Sequence, residues 1–365
     1  MKIIHCADLH LDSKLNANLT PEKAKERKTE LLDTFIRLSD YAEENMIRHI
    51  IIAGDLFDRK NVSAHAKNTV YGIIERHPEI SYYYLKGNHD EGCEDEYPDN
   101  LFLFADEWKV YRVPLNNEKD VVICGVELTD ENSEDICDGL SLRPQDINIV
   151  TLHGQIGEYS AKNRAELINL NKLKNRSIDY LALGHIHEHK TGPLIPRGEY
   201  VYPGCLEGRG FDECGEHGFE LIEIDERELS VDHKFVPFAK RKLYTIPVDV
   251  SGVMTTVEIT DLVKAAVEDS GITSKDMLKL CITGKVDVEC EKDAELIRQR
   301  FDSDFYFLKV YDETSLAVDY ESFAMDASLK GEFVRLLRAE KGMSEERRSA
   351  IIRCGIQALS GEEWQ

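Results

Sequence analysis

Residues 81–90 read SYYYLKGNHD, an apolar, aromatic run that closes on a glycine and then presents an amide, an imidazole and a carboxylate in succession. The first half has strand composition, because aromatic residues suit a pleated, buried surface. The second half alone is an ordinary turn, since Gly and Asn both serve tight backbone. Its meaning depends on how the other apolar runs end. Lys2–Ala7, His49–Ala53, Val121–Val126, Ile147–Leu152 and Ile178–Leu183 are further predicted strands. Between the first two lies a predicted helix that Thr20 caps and Pro21 starts, with Leu31, Phe35, Leu38 and Ala42 on one apolar face. Short strands alternating with helices predict an α/β fold.

Set side by side, the strand ends give Asp8 and His10, Gly54 and Asp55, the run Gly87 to Asp90, His153, and finally His185 and His187. Val121–Val126 alone contributes no residue to this set. In open α/β sheets the C-terminal edge of the strands is where sites form. The i, i+2 spacing of Asp8 with His10, and of His185 with His187, predicts each pair on the same side of extended backbone. Asp8, His10, Asp55, Asn88, His153, His185 and His187 are more ligands than one ion needs. Two divalent ions about 3.5–4 Å apart repel unless a carboxylate bridges them, and Asp55 is central enough in order to be that bridge. Imidazole, carboxylate and amide without thiolate suit Mn²⁺, Fe²⁺ or Zn²⁺, and the oxygen share tilts the choice to Mn²⁺. His5, His49 and His217 lack such company and are read as structural, Cys6 as a small buried residue, and His189 as a solvent-side or supporting group.

Composition sets the outer bounds. With 365 residues, 42% apolar and 31% charged, the chain has the make-up of a globular protein of one large domain or two to three smaller ones. No apolar run approaches a membrane span, and the start lacks the basic-then-apolar order of a signal peptide, so a cytoplasmic location without membrane contact is expected. Nine cysteines without a C-x-x-C pair argue for reduced thiols rather than a disulfide framework or a zinc ribbon. A net charge of −24 argues against non-specific attraction to nucleic acid. The segment Glu91–Glu107 adds seven acids and no base just after the opening stretch.

Beyond residue 198 consecutive strands are predicted at Glu199–Tyr202, Phe219–Ile224 and Leu229–Pro237, then a basic connector, Lys240 to Lys242. Strands at Leu243–Val250, Met277–Ile282 and Phe305–Tyr311, with helices at Glu258–Asp269 and Glu291–Phe301, predict a small α+β unit. The last part reads as helix only, with Leu329, Phe333, Leu336 and Leu337 on one face, then Ile351, Ile352, Ile356 and Leu359 on another. The predicted division is 1–239, 240–322 and a helical tail over 323–365.

The order D-x-H, G-D, G-N-H-D, H and G-H-x-H resembles the calcineurin-like metallophosphoesterases. HCADLHLDS at the start, GDLFD in the second block and Tyr202-Pro203-Gly204 after the last motif resemble the SbcD-type DNA repair nucleases, YhaO-like bacterial members most closely. The resemblance implies a four-layer αββα sandwich with a small α+β cap and a helical tail. It implies that Asp8, His10, Asp55 and His187 hold one ion, and that Asp55, Asn88, His153 and His185 hold the other. His89 then faces the scissile phosphate or the leaving oxygen. Asp58 stands where archaeal and eukaryotic members carry a histidine, and Asp90 either orients His89 or accepts a backbone hydrogen bond; both join His89 as candidate catalytic residues. The implied activity is two-metal hydrolysis of DNA phosphodiesters in repair. The implied partners are DNA and a coiled-coil or AAA-type ATPase, with a homodimer also compatible.

Lys162, Arg164, Lys172, Lys174 and Arg176, with Lys240, Arg241 and Lys242, are the stretches through which phosphate contact is expected. Two rival readings stand beside the nuclease. One is a phosphodiesterase for a small nucleotide-type diester, for which the cap and tail have no evident use. The other is an assembly subunit that scaffolds an ATPase, for which a free His89 has none.

Overall fold

The computed structural model describes all residues except 16–18, 59–61, 91–95, 116–118, 134, 158–166, 288–289, 318–322, 324 and 361–365. It divides into two compact units, Met1–Lys242 and Leu243–Gln365.

In the first unit the strands are β1 Lys2–Cys6, β2 His49–Ala53, β3 Ser81–Leu85, β4 Leu101–Leu103, β5 Lys109–Pro114, β6 Asp120–Gly125, β7 Ile147–His153, β8 Gln155–Ile156 and β9 Leu167–Ile168. They continue with β10 Tyr180–Gly184, β11 Lys190–Leu194, β12 Gly198–Tyr202, β13 Gly218–Asp225 and β14 Ser230–Pro237. The helices are α1 Pro21–Glu44, α2 Ala64–Arg76 and the single turn α3 Leu170–Leu173. Two six-stranded sheets result, in the orders β14-β13-β1-β2-β3-β4 and β11-β12-β10-β7-β6-β5. β1, β2 and β3 run parallel, as do β6, β7 and β10, so their C-terminal ends gather at one edge of each sheet.

The continuous apolar runs are explained by burial on both faces. Along β1 to β3, alternate residues Ile4, Ile50, Ile52, Tyr82 and Tyr84 pack outward against Phe35 and Leu38 of α1 and Val70 and Ile74 of α2. Ile3, Ile51, Tyr83 and Leu85 point the other way and meet Ile123, Ile149, Tyr180 and Ala182 of the second sheet. Val150, Leu152, Leu181 and Leu183 form the third interface, with Leu173 of α3 and Cys137. Each such fully buried aliphatic or aromatic side chain stabilises the fold by about 1.5–3 kcal/mol relative to exposure. These three interfaces define the αββα sandwich, whose last helical layer is thin.

Local chemistry sets the helix ends. Thr20 accepts a hydrogen bond from the Lys23 backbone and Pro21 opens α1, as expected. Ser63 does the same for α2, a helix outside the expected elements. The edge strands β4, β5 and β11 are likewise additional to them.

The second unit has a parallel sheet β15 Leu243–Asp249, β16 Met277–Thr283 and β18 Phe307–Asp312, covered by α4 Thr256–Ser270 and α5 Ala294–Phe301. β17 Lys285–Val286 pairs with β19 Ser315–Leu316. Thr255 and Glu258 cap α4 reciprocally, so it begins two residues before the expected Glu258. Asp293 caps α5 through the Leu296 N–H and starts it after, not at, Glu291. The tail forms α6 Leu329–Ala339 and α7 Glu345–Ser360. Here the expected apolar faces are redistributed. Val334, Ile352 and Ile356 are buried together with Phe323 and Leu337 against them, whereas Leu329 and Leu336 stay 69% and 63% exposed. A methyl on Gly355 would collide with the Phe333 ring, which is why α7 crosses α6 there.

Candidate metal centre

β1 stops at Cys6, and the next residues continue beside the turn after β2. The Asp8 N–H donates to Gly54 O (3.1 Å), His10 to Asp55 O (2.9 Å) and Leu11 to Leu56 O (2.9 Å). Asp8, His10, Asp55 and His185 all adopt positive φ, at 53°, 45°, 51° and 97°. The i, i+2 pairs therefore do not share a face of extended backbone; left-handed turns aim them. Such conformations cost about 1–3 kcal/mol each and persist where surrounding bonds impose them. Gly87 also departs from its expected role: its φ is not positive, and a Cβ there would lie 2.1 Å from Asp55 Oδ1. Close approach, not turning, requires the glycine. At Gly184 a Cβ would lie 1.9 Å from Ala53 O, where the two sheets abut.

Among the described residues, ligand atoms of Asp8, His10 and His187 lie within 4.8 Å of one another, as do those of Asp8, Asp55 and His153, and of His10, Asp58 and His89. Asp55 Oδ2 stands 3.7 Å from His10 Nε2 and 3.5 Å from His153 Nε2, between the first two groups. His153 Nε2 is 3.2 Å from Asn88 Oδ1, and the His185 ring packs edge-on to His153 at 5.4 Å. Six of the seven expected ligands thus meet at one edge shared by both sheets, while the His185 ring lies against His153 but falls in none of these groups.

The rings are held from behind. His153 Nδ1 donates to Ala53 O (2.9 Å), His187 Nδ1 lies 2.7 Å from Glu213 Oε1, and His10 Nδ1 lies 3.2 Å from Asp58 Oδ1. His10 Nε2 and His187 Nε2 face each other at 3.1 Å, a separation that either a hydrogen bond between the rings or a cation between two lone pairs satisfies. Asp8, whose carboxylate falls within 4.8 Å of ligand atoms of both rings, makes the set a good fit for a divalent cation.

Without an ion the charges conflict. Burial pushes the Asp8 carboxyl up to about 6, opposed by His153 and reinforced by Asp55. Burial would also raise Asp55, but His153 and His10 hold it well below the usual carboxylate range. His153, against its burial, is held up at about 9 by Asp55 and Asp8.

His89 is the exposed member, with 44% of its side chain accessible. Its Nδ1 donates to the Asp58 main-chain oxygen (3.0 Å), so Nε2 is free to face a substrate. Asp58 itself accepts from Ser13 Oγ (2.9 Å) and pairs with His10, a supporting rather than a reacting position. Asp90 is fully buried and accepts backbone N–H bonds from Phe57 (2.8 Å), Gly87 (2.9 Å) and Leu56 (3.2 Å). It pins the loops that carry Asp55 and Asn88, and does not orient His89. His189 bonds Glu220 (2.6 Å) and stays out of the ligand groups.

Sequence reasoning missed Arg209 and Glu213, which reach His187 and Asp58 from the loop after Tyr202-Pro203-Gly204. Their signal is a charged i, i+4 pair in a glycine-rich loop next to a recognised motif. The expected phosphate-binding stretches fare poorly. Lys240 and Arg241 are drawn to Glu30, Lys242 pairs with Glu216 (2.6 Å), and Arg176 pairs with Asp138 (3.2 Å). Acidic partners engage these four side chains, whereas Lys174 donates to Asn171 Oδ1 (2.7 Å). Lys162 and Arg164 lie outside the described residues.

A family model described as calcineurin-like phosphoesterase matches residues 1–189, more than half of the chain. An uncharacterised metallophosphoesterase, YhaO of Bacillus subtilis, is 28% identical over 247 residues, 64% of this chain and 59% of that protein. The DNA double-strand break repair protein Mre11 of Saccharolobus solfataricus is 30% identical over 202 residues, 51% of this chain and 49% of its own length. Mre11 of Methanopyrus kandleri is 24% identical over 324 residues, 79% of this chain and 69% of that one. The chain therefore spans about half to three-fifths of the first two relatives.

Proposed function

The chain belongs to the calcineurin-like phosphoesterase family, and on that premise we propose that it is a nuclease that hydrolyses DNA phosphodiester bonds at a site for two divalent ions, Mn²⁺ foremost. The observation that carries this reading is the meeting of Asp8, His10 and His187 with Asp55 and His153 beside an accessible His89. His10, His187, Asp8 and Asp55 would hold one ion, and Asp55, Asn88, His153 and His185 the other. When bound, the ions would supply Lewis-acid stabilisation of the phosphoryl oxygens and an activated water.

The chain's own residues do the rest. His89, fixed through Nδ1, presents Nε2 to the leaving oxygen and delivers a proton there when the ring is charged. Its backbone N–H donates to Asp55 Oδ1 (2.9 Å), which locks the ring's loop to the bridging carboxylate. Asp90 holds both loops in register.

DNA as substrate is supported by the Mre11 relatives. The net charge of −24 and the occupied Lys240 to Lys242 connector support a second reading, a small nucleotide-type diester. The proposal includes a coiled-coil or AAA-type ATPase partner that docks on the exposed Leu329 and Leu336 of α6.

The test is metal-depleted protein given Mn²⁺ with end-labelled duplex DNA and, in parallel, a chromogenic diester. Cleavage of DNA that disappears with chelator is expected. Turnover of the chromogenic diester without DNA cleavage would favour the second reading, and undiminished activity in excess chelator would defeat both.

A further inference from the structure

Arg209 lies beside the site yet is not placed to meet a substrate. Its side chain is only 17% exposed, and its donors are already engaged. Nη2 donates to Glu213 Oε1 (2.8 Å) and stands 3.1 Å from His187 Nδ1, the backbone N–H donates to Glu213 Oε2 (2.7 Å), and Nη1 stands 3.4 Å from Asp58 Oδ1. Those two carboxylates are the ones set against Nδ1 of His187 and of His10. The five residues stand at 10, 58, 187, 209 and 213 in the chain, and the fold brings them into one contiguous set.

We propose that Arg209 is a positioning residue that clamps Asp58 and Glu213 together, and through them fixes the His10 and His187 rings on a single ion. The inference rests on the reading that these two rings share a metal. A planar guanidinium suits the task because its fork reaches two carboxylates at once. It also offsets two buried negative charges that would otherwise repel. Glu213 has further neighbours that keep it in place: Cys205 Sγ at 3.7 Å, and His217, which donates from Nε2 to the Glu213 main-chain oxygen (2.9 Å). His153 is outside the clamp, since its Nδ1 is held by the backbone oxygen of Ala53. The molecule therefore contains its own control.

Outer carboxylates on metal-binding histidines typically account for a 10–100-fold difference in metal affinity. Full-length, metal-depleted protein titrated with Zn²⁺ and followed by ¹⁵N NMR of the histidine rings reads each imidazole separately. Arg209→Gln is expected to weaken Zn²⁺ binding at His10 and His187 by about 10–100-fold while His153 titrates as in the wild type. Arg209→Lys, which keeps the charge but loses the fork, should fall between the two. Should Arg209→Gln not fold, the lysine variant carries the comparison by itself. Unchanged binding at His10 and His187, or an equal loss at His153, would overturn the clamp. A wild-type protein whose His10 and His187 take up no Zn²⁺ would instead overturn the underlying metal assignment.

Discussion

Neighbouring residues of one loop divide the labour at this site. Asn88 faces His153, His89 faces outward, and Asp90 faces inward to backbone amides. His89→Ala should retain metal and fold while the rate falls by about 10²–10⁴, whereas Asp55→Ala should lose metal itself, because its Oδ2 stands between both ligand groups. Elemental analysis of the two purified variants separates these outcomes, and equal metal loss would mean that His89 is a ligand. The residues that gather at the candidate centre were legible in the sequence because each follows an apolar run within a few residues. Arg209 and Glu213 were not, since what makes them matter is proximity to His10, Asp58 and His187, set by tertiary structure. The way the pairs are aimed was not legible either, because a left-handed Asp8 or His10 reads no differently from an extended one.

At the scale of elements, the central strands were legible from residues buried on both faces. β5 escaped because, as an edge strand, it exposes Lys109 and half-exposes Arg112. α2 did carry a signal, a Ser63 cap followed by Ala66, Val70, Ile73 and Ile74 at helical spacing. The seam between β2 and β10 leaves no room for a methyl group, so Gly184→Ala should destabilise the first unit by about 1–3 kcal/mol or more. Denaturant unfolding measures this, and a neutral result would show that the sheets can part there. α1 is tied to the loop after β12 and to the connector by the buried Glu30, Arg27 and Glu207. Burial alone would raise the Glu30 carboxyl, yet Arg241 and Arg27 hold it down at about 2. A depressed carboxyl contributes stability above its ordinary value near 4.5 and loses it as the pH falls towards 2. Glu30→Gln should therefore cost about 3–5 kcal/mol at pH 5, with the gap to wild type closing by about pH 2. Melting curves at the two pH values test it.

Taken whole, the molecule keeps its chemistry in the first unit, and the expected tail helices belong with the second. Replacing Leu329 and Leu336 with Glu should leave the fold unchanged, since both are exposed, and should abolish binding to a separately purified coiled-coil ATPase. Unaltered binding would place the dock elsewhere. The strand order has a further consequence during synthesis. β1 sits in the middle of its sheet, parallel to β2 on one side and antiparallel to β13 on the other, with Ile4 opposite Leu221. While the ribosome is still making the chain, Lys2 to Cys6 waits for a partner more than two hundred residues downstream. Until then its free edge is a template for any other strand in reach. A nascent chain halted before residue 218 should thus be held by chaperones or aggregate, and the β1 amides that pair with β13, unlike those that pair with β2, should exchange freely until β13 emerges.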